Sequence, residues 1–291
     1  MQGNIKKNYK PIITEIRDTG HTYNINKAGY LVNDLSISMI QDKWLAAIHD
    51  IVKFYEEWFK DNVHSIYVRG SVAHGQAVDN ISDLDIILIL KERLKTEEGQ
   101  LPILMKQKAQ EFQDTVHEHI IKNHSFITHV DHGRITHLER LLHPGKSINM
   151  PMIQFYIKYL SIHVYGENIQ DDLPDVKKED APMYHSSLIV QLNELEKQPI
   201  DVRMHQDLIQ WIARRIIRSA FGLVYDDLNV WTRCLVPCYN LFIDAYPEFK
   251  KDMKPILDIA IFGIRDKTKE DYKKMIRVGK SLTILLDEKN K

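Results

Sequence analysis

Two cysteines in 291 residues, Cys234 and Cys238, are too few and too close for a bridge framework; four apart, they fall on one side of a helix. Such sparing use of cysteine fits a reducing compartment. Long apolar runs are missing too. Nowhere do 18 apolar residues follow one another, and Met1 to Arg17 is polar and basic with no run of signal-peptide length, so the expected location is cytoplasmic, with no membrane partner. Charge of one sign is also lacking: 39 basic residues against 40 acidic ones leave no global field to draw the chain toward nucleic acid, so any polyanion must be gripped locally. Seven of the 14 histidines lie between His117 and His143, but without H-E-x-x-H spacing or a nearby cysteine they read as polar surface rather than zinc ligands. No repeat or low-complexity tract appears.

What the chain does have is apolar residues, 44% of the total, enough for one large or two ordinary domains. From Ser36, Ile40, Trp44, Ile48, Ile51, Phe54, Tyr55 and Phe59 recur at helical spacing and predict one helix to about Lys60. Val63 to Val68 reads as a short strand, Gly70 to Gly75 as a tight turn, and Leu84 to Leu90 as a buried strand. A helix from about Leu101 to Lys122, a strand from Ser125 to Val130, a short helix with Leu138, Leu141 and Leu142, and a helix over Met152 to Ile162 follow. Glu167 to Pro182 is polar and holds two prolines. Beyond it only helical stripes occur: Leu208, Ile212, Ile216 and Ala220; Leu235, Tyr239 and Phe242; Met275, Val278, Leu282 and Leu285. The expected fold class is α+β, a small mixed sheet with flanking helices followed by an all-helical C-terminal domain. The expected divisions are an extension over 1–35, a catalytic domain over 36–170, a linker over 171–182 and a helical bundle over 183–291.

Chemistry concentrates between Tyr67 and Leu90. Asp83 and Asp85 stand two apart at the start of an apolar strand, so alternation sends both to one face, where they repel. Like carboxylates at a buried edge need compensation, and Mg²⁺ or Mn²⁺ supplies it through hard oxygen ligands shared with phosphate and water. Gly70-Ser71 follows a strand directly; glycine admits close approach of a phosphate, and Ser71 adds a hydroxyl donor.

Arg69-Gly70-Ser71, a spacer, then Ser82-Asp83 and Asp85 resemble the signature of the nucleotidyltransferase superfamily that includes DNA polymerase β and the aminoglycoside nucleotidyltransferases. The resemblance covers about residues 30 to 170 and extends weakly through Phe155-Tyr-Ile-Lys158 and Val164-Tyr-Gly-Glu167. It implies that Asp83 and Asp85 bind metal and that Gly70, Ser71 and Ser82 contact the nucleotide. It also implies a lysine, Lys158, toward the triphosphate, and a third carboxylate on a later strand, for which Asp131 is the choice and His129 the alternative base. Arg69 and the Arg214, Arg215 and Arg218 cluster read as phosphate ligands or as ordinary partners of nearby groups. Gly145-Lys146-Ser147 ends like a P-loop, but Arg140 stands where its first glycine belongs.

The function this implies is metal-dependent transfer of a nucleoside monophosphate from a nucleoside triphosphate, taken as ATP, to an acceptor hydroxyl with release of pyrophosphate. A small-molecule acceptor is favoured over RNA or protein. The alternatives are a toxin-like transferase acting on tRNA or protein, and a nucleotide-binding protein without turnover.

Overall fold

The computed structural model describes residues 20–77, 84–91, 124–131, 134–137, 150–182, 188–197, 205–263 and 268–289, with backbone alone over 124–131 and 134–137. Asp83, Ser82 and the helices expected over 101–122 and around Leu138 therefore lie outside the described residues. The chain divides into two compact units. One comprises Tyr23–Pro182 with Asn229–Trp231; the other comprises Met183–Leu228 and Thr232–Lys291, together with Met1–Thr22.

The first unit is α+β. In it β1 is Tyr23–Asn24, α1 Asp42–Phe59, β2 Val63–Arg69, α2 Gly70–Ala73 and β3 Asp85–Leu90. Then come β4 His124–Asp131, β5 Arg134–His137, α3 Met150–Leu160 and β6 Ser161–Gly166, with a short 3-10 turn at Lys178–Asp180. Five strands form one mixed sheet in the order β5-β4-β3-β2-β6, antiparallel except for the parallel β3–β4 pair. The central place of β3 explains its unbroken apolar run, since Ile86 to Leu90 are buried whichever face they point to.

Alternation along β2 and β3 divides the core in two. Ile66, Val68, Ile86, Leu88 and Leu90 meet Trp44, Ile48, Ile51 and Tyr55 of α1, the stripe predicted by spacing. Tyr67, Ile87 and Ile89 meet Ile157 of α3 together with Ile169 and Leu173. Each fully buried Leu or Ile contributes roughly 1.5–3 kcal/mol. Residues 171–182 are thus part of this unit, with Leu173 5% exposed.

The second stretch of α3 departs from expectation, because the helix ends at Leu160 and β6 begins at Ser161 with no intervening loop. Capping makes the abrupt change possible. Asn33 Nδ2 donates to Lys158 O and Ser161 O at 2.8 and 3.2 Å, and Gln170 Nε2 donates to Ile157 O and Ser161 O at 2.8 and 3.0 Å.

Between helices of the second unit, a late strand, β7 Val230–Trp231, pairs with β1 and so belongs to the first unit. Trp231 is fully buried there, 5.6 Å from the Tyr23 ring and 5.1 Å from the Phe155 ring.

The second unit is helical: α4 Leu188–Lys197, α5 Gln206–Gly222, α6 Leu235–Ala245, α7 Lys250–Phe262 and α8 Lys269–Lys289. All three expected stripes lie on helices, and α5 is central, packing on α6, α7 and α8. A Cβ on Gly279 of α8 would stand 2.9 Å from both Ile216 and Leu192, so these helices pack closely at that point. Among the described residues no helix is long and apolar enough to cross a membrane.

Candidate active site

The glycine-serine turn grows directly out of β2. Arg69, the last strand residue, is extended (φ −131°, ψ −173°), and Gly70 turns the chain with φ +74° into the single helical turn of α2. Only glycine takes that left-handed conformation without strain. His74 N returns to Gly70 O and Gln76 N to Ser71 O, at 3.2 and 2.8 Å, closing the turn. His74 also meets the buried Tyr23 hydroxyl at 2.6 Å through Nε2.

Beside this turn stands Asp85. The β2–β3 register pairs Arg69 with Asp85 across the ladder, so both side chains leave the sheet on the face carrying Tyr67, Ile87 and Ile89. Arg69 Nη2 donates to Asp85 Oδ1 at 3.2 Å, with the side chains 24% and 21% exposed. For charges this close, Coulomb attraction at an effective dielectric of 20 is roughly 4 kcal/mol before desolvation is set against it. The Arg69 guanidinium lies 5.3 Å from the centre of the Tyr156 ring on α3. Oδ2 of Asp85 turns toward Gly70, where a Cβ would come within 2.5 Å of it.

Ser71, Gly70, Arg69 and Asp85 thus gather at one end of β2 and β3, as the sequence spacing requires. Asp83 and Ser82, expected to join them, lie outside the described residues. The donor chemistry suits a hard divalent ion: Mg²⁺ is held by one or two carboxylates plus phosphate oxygens and water, and Asp85 lays one carboxylate oxygen directly against the glycine bend. Among the described residues no three His, Cys, Asp or Glu side chains cluster.

Two expected site residues are positioned otherwise. Because β3 and β4 run parallel, with Ile86 opposite His124 and Leu90 opposite Thr128, Asp131 lies beyond the Leu90 end of β3. It is about eight residues along the strand from the level of Asp85, on the order of 25 Å. The proximity expected of Asp131, and of His129 as its substitute, depended on β4 running the other way. A strand read from an apolar run carries no direction, which is why the sequence misled.

Lys158 is committed elsewhere. Its ammonium, with the side chain 13% exposed, donates to Leu173 O at 2.6 Å and Gln170 O at 3.2 Å, and pairs with Asp175 Oδ1 at 3.0 Å. An ammonium has three protons, and here three acceptors meet them. Lys158 thereby ties residues 170–175 to α3. Tyr67 does similar work on residues 167–169: its hydroxyl accepts from Ile169 N at 2.8 Å and donates to Asn168 Oδ1 at 3.3 Å, while burial raises its pKa. Nothing in the sequence marked Tyr67 or Gln170 for these roles.

In the helical unit the arginines of α5 serve helix ends and an aromatic ring. Arg214 Nε donates to Ala260 O at 2.9 Å, alongside Gln210, and Arg218 Nε donates to Arg233 O at 3.0 Å. Arg215 lies 5.1 Å from the Trp211 ring centre.

No protein-family model matches the chain, and no curated protein does. Among solved structures it is similar to a spectinomycin adenyltransferase, AAD(9), from Enterococcus faecialis, crystallised with ATP and spectinomycin. The identity is 15% over 82% of this chain and 98% of that one, with a TM-score of 0.49.

Proposed function

We propose that the chain is a nucleotidyltransferase that moves a nucleoside monophosphate from a nucleoside triphosphate, ATP in the simplest case, onto the hydroxyl of a small acceptor. The observation that carries this reading is the joining of Gly70-Ser71 to Asp85 through the Arg69–Asp85 register at one end of the sheet. Asp83, for which sequence alternation predicts the same face, would complete the carboxylate pair. These two residues would hold Mg²⁺ or Mn²⁺, which when bound polarises the phosphoryl group and neutralises charge on the leaving pyrophosphate.

The protein's own part is positioning and charge. The bend at Gly70 brings the backbone N–H groups of the turn beside the Asp85 carboxylate, where phosphate oxygens would approach, and the Ser71 hydroxyl would donate to one of them, with Ser82 expected from the motif as a further donor. The acceptor oxygen then attacks the α-phosphorus in line, forming the new P–O bond as the bond to pyrophosphate breaks. The acceptor's proton passes to solvent water in this scheme, since Asp131 and His129 lie at the other end of β3. Lys158 is a positioning residue for 170–175 in this reading rather than a phosphate ligand.

The test is transfer from each of four labelled triphosphates to a panel of aminocyclitols, tRNA and proteins, with pyrophosphate release followed in parallel. A labelled small molecule, lost in an Asp83→Ala, Asp85→Ala double variant, is the expected result; undiminished transfer by that variant refutes it. The placement of Asp131 and His129 at the Leu90 end of β3 favours one second reading, a nucleotide-binding protein without turnover. Calorimetric binding of triphosphate with Mg²⁺, without pyrophosphate release across the whole panel, would establish that instead.

A further inference from the structure

We infer that Arg69 is an internal counter-ion that occupies the cation's side of Asp85 when no metal is bound, and that Tyr156 is the seat onto which it withdraws. The inference rests on the proposed function, because it assumes that Asp85 is a metal ligand.

Three observations carry it. The Arg69–Asp85 pair is set by strand register, a direct cross-strand partnership at the edge where β2 passes into the glycine turn, so the guanidinium is held at the carboxylate by the fold. Oδ1, the oxygen Arg69 engages, belongs to the same carboxylate whose Oδ2 faces Gly70, so any cation that Asp85 held would share one carboxylate with the guanidinium's positive charge. The same guanidinium already lies 5.3 Å from the Tyr156 ring centre, so a contact favourable to a planar cation remains when the carboxylate is taken over by a metal.

Two consequences follow. Arg69 compensates the buried-edge carboxylate before metal arrives, and it makes metal binding an exchange of one cation for another rather than an addition. Removing the arginine should therefore tighten binding of metal alone. Removing the ring should weaken it, because the guanidinium then loses the aromatic contact that lies beside the carboxylate.

The experiment is titration of the full chain with Mn²⁺ alone, free ion being read by electron paramagnetic resonance, for the wild type, Arg69→Met, Tyr156→Leu, the double variant and Asp85→Asn. Near-ultraviolet circular dichroism and thermal unfolding report folding for each. We expect Arg69→Met to bind Mn²⁺ about fivefold more tightly, a modest factor suited to a partly exposed pair. We expect Tyr156→Leu to bind about twofold to threefold more weakly, and the double variant to match Arg69→Met, since without the guanidinium the ring has nothing to receive. A folded Arg69→Met with unchanged or weakened Mn²⁺ affinity, while binding stays Asp85-dependent, overturns the inference and leaves the proposed function standing. Should Arg69→Met fail to fold, Tyr156→Leu decides: affinity equal to or above wild type overturns the inference. Mn²⁺ binding that survives Asp85→Asn undiminished overturns both.

Discussion

Gly70 and Asp85 share a space that only one of them can fill: a Cβ on residue 70 would stand 2.5 Å from Oδ2 of residue 85. The backbone at Gly70, with φ +74°, adds a second demand for glycine. Gly70→Ala should therefore lose about 1–3 kcal/mol of stability through left-handed strain and displacement of the carboxylate, read as a lower midpoint in urea. Transfer activity should fall further than the fraction unfolded explains. A variant with wild-type stability and activity would show that the contact has no consequence.

Asp85→Asn keeps the shape of the side chain and its bond with Arg69 in weakened form, while removing the charge. Transfer should drop on the order of a hundredfold or more, the scale on which preorganised charge at a reacting centre acts, with thermal stability near that of the wild type. Chelation of divalent ions by EDTA should abolish wild-type transfer, and Mg²⁺ or Mn²⁺ should restore it. Activity that survives chelation would remove the metal from the scheme.

Lys158→Met tests the reassigned lysine. The loss of its ammonium leaves the carbonyls of Gln170 and Leu173 without that donor, a cost of roughly 1–3 kcal/mol. Thermal unfolding should shift down by several degrees, while calorimetric affinity of the folded protein for triphosphate stays within about twofold. A large loss of nucleotide affinity at unchanged stability would return Lys158 to the phosphate site.

Tyr272 gives a pH signature. Burial pushes its pKa from 10.0 up to about 12, and its hydroxyl donates to Leu195 O at 3.3 Å. Raised in the folded state, this group contributes stability that is fully present below pH 10 and is lost as pH rises through about 12. Urea midpoints for the wild type should therefore fall between pH 10 and 12 more steeply than those for Tyr272→Phe; parallel curves would count against it.

Both thiols have pKa values raised by burial, and Cys238 donates weakly to Thr232 O at 3.8 Å. Iodoacetamide at pH 8 should leave the buried Cys238 unlabelled until denaturant opens the helical unit and should label the half-buried Cys234 only slowly, as mass spectrometry would show. Rapid labelling of Cys238 in the native chain would contradict its burial.

The sequence disclosed the elements whose causes are local. Helical spacing from Ile40 to Phe59 gave α1, the β-branched and leucine run gave β3, and three apolar stripes gave α5, α6 and α8. The glycine bend and Asp85 were legible because their spacing alone brings them together. What stayed hidden depends on distant partners. Strand β6 begins where α3 ends, and its start is secured by Asn33 and Gln170, 128 and nine residues away. Strand β4 was recognised, but its parallel pairing with β3 was not, and that single unknown misplaced Asp131. Lys158 was credited to phosphate because a resembling motif says nothing of carbonyls contributed by residues 170 and 173.

Trp231 lies in sequence between helices of the bundle, yet its indole fills the space between Tyr23 and Phe155. The polypeptide leaves the sheet-bearing unit at residue 182 and comes back for three residues before departing again. A gene cut at that boundary would yield an N-terminal product with a hollow the size of an indole, and β1 would lack its only pairing strand among the described residues. The sheet-bearing unit of this molecule is therefore not a module that recombination could lift out whole: its last core residue is synthesised some fifty positions after Pro182, and completion of its core during synthesis must wait for it.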